Sequence, residues 1–264
     1  MVNARHPNAS GGRDMNRAMK RAFIALGLST LLLGTLSPPT PAVETPWMAF
    51  SFRSDDDGYA PAPIDRPVQT AGETPRRAEV VVQDERTALV LESGSLTVLH
   101  RDQKVWSSDP TWDVPQLLVG DVDNDDQQEV ALALWKPYHR EPSIIFEAFS
   151  FASPWEEGSL RNHLFVYSWG EDGWQPQWCS SPIAEPIREM AVGDVDGDGA
   201  HELVVLEGSY ADTPDAPARH VAVWRWNGWG FSLQWRSPAG AFRSLDLQDV
   251  TGDEALEILV TNEP

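Results

Sequence analysis

A short acidic loop, written three times between aliphatic runs, constrains this chain more than any other feature. Asp121-Val-Asp123-Asn-Asp125 is completed by Glu129, Asp194-Val-Asp196-Gly-Asp198 by Glu202, and Asp249-Val-Thr251-Gly-Asp253 by Glu257. Each unit places oxygen side chains at positions one, three, five and nine. Alternate residues of a tight loop point the same way, so three short oxygen-bearing side chains converge, and a fourth from the following segment closes the cage. Hard oxygen donors in that number suit Ca2+, which takes roughly 6–8 of them. An EF-hand loop would need a bidentate Glu at position twelve, between two helices. Position twelve here is Leu132, Val205 and Val260. The runs after the loops, Val130-Ala-Leu-Ala-Leu134, Leu203-Val-Val-Leu206 and Ile258-Leu-Val260, read as buried strands. The expected unit is strand, cation loop, strand, with two to three Ca2+ ions held.

Leu118-Val-Gly120-Asp121-Val-Asp123 and Ala191-Val-Gly193-Asp194-Val-Asp196-Gly-Asp198-Gly199 resemble FG-GAP/VCBS repeats, the calcium-binding blades of integrin-α-type β-propellers. The resemblance covers roughly Glu79 to Glu263. It implies that the acids at positions one, three, five and nine ligate Ca2+, together with a main-chain carbonyl at position seven (Gln127, Ala200, Ala255). The second loop matches best, with Gly199 at the sharp turn of position six. Asp126 and Glu254 stand there in the other two loops, and Thr251 replaces an acid in the third. The aromatic-glycine pair of the family's name is missing.

A second repeat lies outside the loops. His163-Leu-Phe-Val-Tyr167-Ser-Trp169 matches His220-Val-Ala-Val-Trp224-Arg-Trp226, and Gln177-Trp178 matches Gln234-Trp235, both at a lag of 57 residues. Each unit then turns through Ser-Pro (Ser181-Pro182, Ser237-Pro238), and a shorter version ends at Lys104-Val-Trp106. Four strands per unit suits a propeller blade. The expected fold is all-β, with β-propeller-like blades of four antiparallel strands over residues 78–264. Blades fall at about 78–110, 112–181 and 187–238, and a fourth begins at 242 and stops after two strands. That makes about three and a half blades and an incomplete ring. It would be completed by a homo-oligomer or by the N-terminal segment, or left open in a truncated product.

Residues 1–42 read as a signal peptide, its true start at Met1 or Met15. A basic stretch, Arg17 to Arg21, precedes a 15-residue apolar stretch, Ala22 to Leu36, and small residues follow. An uncleaved membrane anchor is the alternative. The protein is thus expected to be secreted, periplasmic or at the cell surface. Residues 43–77 read as a Pro/Asp-rich linker in which Trp47 to Phe52 docks on the domain.

The net charge is −20, and residues 1–42 carry five basic residues and one acid, so the remainder is close to −24. Such a charge repels phosphates and argues against nucleic acid or anionic membrane surfaces as partners. Cys179 is the one cysteine, so no intramolecular disulfide forms. Trp106, Trp178 and Trp235 end their fourth strands and are expected to pack between blades. Trp169, Trp226 and Trp229 are read as packing residues or as a sugar-stacking platform. The least repetitive stretch, Lys136 to Glu157, is where a partner or glycan would bind. No nucleophile triad, phosphate loop or zinc spacing is present. The expected function is a non-catalytic calcium-binding module for protein or glycan binding and adhesion. The alternatives are a polysaccharide lyase or hydrolase, with Glu141, Glu147 and His139 as candidate residues, and a truncated accessory fragment.

Overall fold

The computed structural model describes residues 47–53, 58–64, 68, 77–82, 85–139, 155–170, 172–253 and 255–262. The expected signal peptide, and Glu141 and Glu147, lie outside the described residues. Every regular element among them is a strand. No helix among them is long and apolar enough to cross a membrane.

Four antiparallel sheets of four strands each make up the fold. The first holds β3 (Arg77–Val82), β4 (Glu85–Glu92), β5 (Ser95–His100) and β6 (Gln103–Ser107). The second holds β7 (Asp113–Gly120), β8 (Glu129–Pro137), β9 (Leu160–Gly170) and β10 (Gly173–Cys179), and the third β11 (Ile187–Gly193), β12 (Glu202–Glu207), β13 (His220–Trp226) and β14 (Phe231–Arg236). Strands follow one another across each sheet in chain order.

The fourth sheet corrects the count of three and a half. Its C-terminal pair, β15 (Phe242–Gln248) and β16 (Glu257–Asn262), is continued by β1 (Trp47–Arg53) and β2 (Gly58–Ala62), in the order β15-β16-β1-β2. β1 pairs antiparallel with β16, Met48 opposite Val260 and Phe50 opposite Ile258. The segment expected to be a linker therefore supplies the two missing strands, and a second copy of the chain is not needed to provide them. Its Pro and Asp content disguised it: Pro61 sits in β2, an edge strand, where a residue without an N–H is tolerated.

Period-two alternation explains why the second strands are apolar throughout. Val130, Leu132 and Leu134 enter a core shared with the first sheet, whereas Ala131 and Ala133 enter one shared with the third. Leu203 and Val205 meet the second sheet, while Val204 and Leu206 meet the fourth. Such a strand is covered on both faces, so each of its side chains must be apolar. Three inter-sheet cores thus join the four sheets in the order first, second, third, fourth.

The fourth-strand tryptophans seal the same three seams, as their repetition suggested. Trp106 lies 5.1 Å from Tyr167, Trp178 5.4 Å from Phe231, and Trp235 5.7 Å from Phe50 and 5.1 Å from Tyr59 (ring centroids). Trp169, Trp226 and Trp229 do not assemble a platform. Trp226 packs on Trp178, Trp169 lies against His100, and Trp229 is 80% exposed. In the first three sheets a serine at the fourth-strand end accepts a third-strand N–H: Ser108 from Leu96, Ser180 from Leu164 and Ser237 from Val221. The residue equivalent to Ser237 is thus Ser180, one before the expected Ser181.

If β1 belongs to the cooperative unit, Phe50→Ala, which opens the seam against Trp235, lowers the unfolding free energy by about 3–5 kcal/mol. Urea denaturation reads this directly, and an unchanged midpoint would return residues 47–53 to the status of a linker.

Candidate metal centre

Each acidic loop joins the first strand of a sheet to the second. Its geometry starts with the residue before it. A methyl group at Gly120 would lie 2.4 Å from Val192 Cγ1, and one at Gly193 would lie 2.8 Å from Leu256 Cδ1. Before the first two loops, side chains of the next sheet therefore pack directly on the backbone, which brings neighbouring loops close.

Within each loop the acids first organise their own backbone. Position one accepts turn N–H groups: Asp121 from Asp125 and Asp126, Asp194 from Gly197 and Gly199, and Asp249 from Gly252. Position five accepts the N–H of position seven, at Asp125, Asp198 and Asp253. Positions four and six of the first two loops take left-handed backbone, with Asn124 and Asp126 in the first and Gly197 and Gly199 in the second. Asn and Asp tolerate that region better than other side chains, so the first loop closes without glycine. The position-seven residues engage through their N–H groups, and Gln127 also donates its side chain to Asp125 Oδ2 at 3.1 Å.

Position nine is the anchor. Glu129, Glu202 and Glu257 are each 1% exposed and open the second strand. Each uses Oε2 to accept the N–H of position two, Val122 at 3.0 Å, Val195 at 3.2 Å and Val250 at 2.8 Å. The valine side chains are buried, so without the glutamate these N–H groups would be stranded.

The three loops then diverge. In the first, Asp121, Asp123, Asp125 and Glu129 each bring one carboxylate oxygen to within 4.8 Å of the others. Asp123 Oδ2 accepts a bond from Gln177, and its Oδ1 is buried with no hydrogen-bond partner. Burial, and then the neighbouring Asp123, Asp125 and Asp121, push Glu129 up to about 7. Burial also raises Asp123, with Asp125 adding to it.

In the second loop Asp194, Asp196 and Glu202 converge, but Asp198 is drawn aside. Arg225 of β13 bonds Asp198 Oδ2 at 2.6 Å and lies 3.4 Å from Asp196 Oδ2. Its Nε stands 3.7 Å from Glu202 Oε1, and that buried oxygen has no hydrogen-bond partner. Glu202 is pushed up to about 7, by burial first and then by Asp196. Tyr59 of β2 reaches this cluster: burial and the charges of Glu202, Asp196 and Asp194 raise its phenol far above the ordinary value.

The third loop does not gather its acids in this way. The Thr251 hydroxyl lies 2.9 Å from Asp253 Oδ1 and 3.1 Å from Glu257 Oε1, and Ser51 donates to the same Glu257 oxygen at 3.1 Å. Hydroxyls therefore satisfy what a cation would otherwise satisfy. The first two loops are also knitted together. Asn124 accepts from the His201 N–H and donates to the His201 carbonyl, while the His201 ring bonds the Asp121 carbonyl.

The first two acid clusters could hold a metal ion. Oxygens bound to one Ca2+ at about 2.4 Å can stand at most about 4.8 Å apart, the span of both clusters. The first is the fuller cage and carries no guanidinium. That reverses the ranking expected from glycine at position six. Sequence reasoning missed Arg225, Ser51, Tyr59, Gln177 and the Asn124–His201 clamp. Only Arg225 left a trace, as the one charged residue where its repeat partner has Ser168. Among the expected catalytic alternatives, His139 is described, and it bonds Glu157 at 2.9 Å on the surface.

Burial pushes Glu129 and Glu202, and also Glu189 of β11, up to about 7 from the ordinary 4.5. The metal-free folded chain therefore binds more protons than the unfolded one across that window, and its stability rises as pH falls from 7 towards 4.5. Melting in EDTA should move to higher temperature from about pH 8 to about pH 6, and Glu189→Gln should flatten part of the slope without touching the loops. Arg225→Gln removes the counter-charge of the second cluster and should cost about 1–3 kcal/mol in EDTA.

No family model matches the chain, and no curated protein matches it either.

Proposed function

We propose that this protein is an exported, calcium-stabilised binding module of the FG-GAP/VCBS type. Its four sheets would serve as the blades of a small propeller, and its acidic loops as scaffold rather than as a reaction centre. The observation that carries the reading is the four-carboxylate cluster of Asp121, Asp123, Asp125 and Glu129. Each ionised pair of acids this close repels by several kcal/mol at an effective dielectric of about 20, and four acids make six such pairs. One divalent cation on hard oxygen ligands reverses the sign of that interaction, and Ca2+ accepts the irregular geometry of a loop.

A scaffold role follows from what the acids already do. Their oxygens accept loop N–H groups, and the glutamate beneath them is locked to a buried valine, so the ion ties two strands together. The N-terminal pattern of charge followed by apolar residues supports export, where calcium in the range of about 10⁻⁴–10⁻³ M keeps weak extracellular sites filled. Rigidity from the ion also compensates for the lack of a disulfide. Binding of a protein or glycan then falls to surfaces that the repeat does not use.

Added CaCl2 should raise the melting temperature. Ten times the dissociation constant contributes about 1.4 kcal/mol per site, or roughly 3–6 °C for a domain of this size. Asp123→Asn should abolish most of the shift while leaving the EDTA melting curve equal or higher, because a repelling charge is gone. Identical curves with and without calcium would refute the metal reading. In Arg225→Gln the calcium shift should grow, as the second cluster loses its internal cation.

A further inference from the structure

At the rim opposite the acidic loops, a cavity of about 260 Å³ opens between the second and third sheets. It lies six residues along β8 from Glu129, at Trp135, hence about 20 Å from the first acidic cluster. Its chemistry is the reverse of the rest of the molecule. Two arginines line it, Arg161 at the start of β9 and Arg188 at the start of β11, in a chain of net charge −20.

Both arginines are held in place and incompletely bonded. Arg161 Cζ lies 4.2 Å from the Trp155 centroid and 4.8 Å from the Tyr210 centroid, over two rings that themselves touch at 5.7 Å. These cation–π contacts hold the guanidinium against the aromatic pair. Its Nε is buried with no hydrogen-bond partner. Arg188 donates to the carbonyls of Pro214 at 2.8 Å and Thr213 at 3.1 Å, which orient it without neutralising it. Its Nε is likewise buried and unpartnered. Gly208 makes room for it, since a methyl group there would meet Arg188 Nε at 2.5 Å. Tyr210 holds the floor, donating to the Ile183 carbonyl and accepting the Asn162 N–H. The acid in the lining, Asp212, is taken by a two-bond pairing with Arg219 outside it.

We propose that this cavity binds a sugar acid, its carboxylate between Arg161 and Arg188 and its ring against Trp135. This deepens the binding-module reading and rests on it. Two guanidinium groups in one lining favour a planar oxyanion. The apolar wall of Trp135, Leu160 and Pro214 suits the carbon face of a pyranose. The volume is below the roughly 300–1,000 Å³ of sites for drug-sized ligands and matches a single sugar ring.

The full chain is titrated with D-glucuronate by calorimetry, with D-glucose, acetate and inorganic phosphate in parallel, in calcium and in EDTA. Glucuronate should bind at least tenfold more tightly than any of the three, and should shift the Trp135 indole N–H resonance. Arg161→Gln and Arg188→Gln should each weaken it tenfold or more, and Arg161→Lys, which keeps the charge but not the fork, should fall between. Should Arg188→Gln fail to fold, Arg161→Lys and the Trp135 resonance decide. Glucose binding as tightly as glucuronate, acetate or phosphate matching it, or full affinity in the arginine variants each overturns the proposal. Failure of glucuronate with an intact calcium melting shift removes the cavity's ligand and leaves the scaffold reading standing. Glucuronate binding without any calcium shift does the opposite.

Discussion

The interaction on which the rest depends is the buried carboxylate of Glu129, Glu202 and Glu257 against the N–H of a valine seven residues before it. Burying a carboxylate is costly unless it is bonded. Each glutamate meets that requirement by doing two things at once. One oxygen closes the loop on itself, fixing where the first strand ends and the second begins. In the first two loops the carboxylate also stands among the acids above it, so the same side chain that builds the scaffold adds to a concentration of negative charge. An aspartate would be one carbon too short to span from strand start to valine. A glutamine would bond the N–H but bring no charge.

A repeated glutamate poses the same electrostatic problem three times, and the chain solves it in different ways. The deciding position is on the third strand, one residue beyond a matched pair: Ser168 past Tyr167, Arg225 past Trp224, and Ser51 past Phe50. With serine opposite and a full set of acids, the first loop offers a cage for an external cation. With arginine opposite, the second carries its own cation, which takes Asp198 out of the cluster. With serine opposite and threonine at position three, the third covers its glutamate with hydroxyls. The ligand set alone ranked the second loop first. The partner strand reverses that order, because a guanidinium 2.6 Å from a carboxylate competes directly with a metal.

What was legible in the sequence was whatever the repeat imposed. The acids at fixed spacing gave the loops. The aliphatic runs marked strands covered on both faces, and Trp106, Trp178 and Trp235 marked the seams. What was hidden came from contacts distant in sequence. β1 is separated from its partner β16 by about two hundred residues and β2 joins the sheet only through β1, and neither shows a clean alternation because β1 is half-buried and β2 is an edge. Tyr59, placed by that strand pair beside the second cluster, was hidden for the same reason. Arg225 was visible as a break in the repeat, but its meaning needed the register that sets it against Glu202. Arg161 and Arg188 carried no motif at all, since they come from two sheets and are brought together only by packing.

The two rims of the molecule therefore answer to different physics. Around the acidic loops, residues recur because each strand pair must start in the same place, and a change at one repeat disturbs a shared geometry. At the other rim the connections need only be long enough to return the chain. The β8–β9 connection runs for some twenty residues, whereas the β12–β13 connection is about half as long. Freed from the repeat, those connections can carry chemistry the scaffold excludes. Positive charge is the sharpest example. A guanidinium beside the acidic loops is consumed at once, as Arg225 is. Arg161 and Arg188, about 20 Å away and beyond roughly two Debye lengths at physiological salt, pair with none of the loop acids. Separating a metal-hungry rim from an anion-ready one lets a strongly acidic protein keep a positively charged pocket.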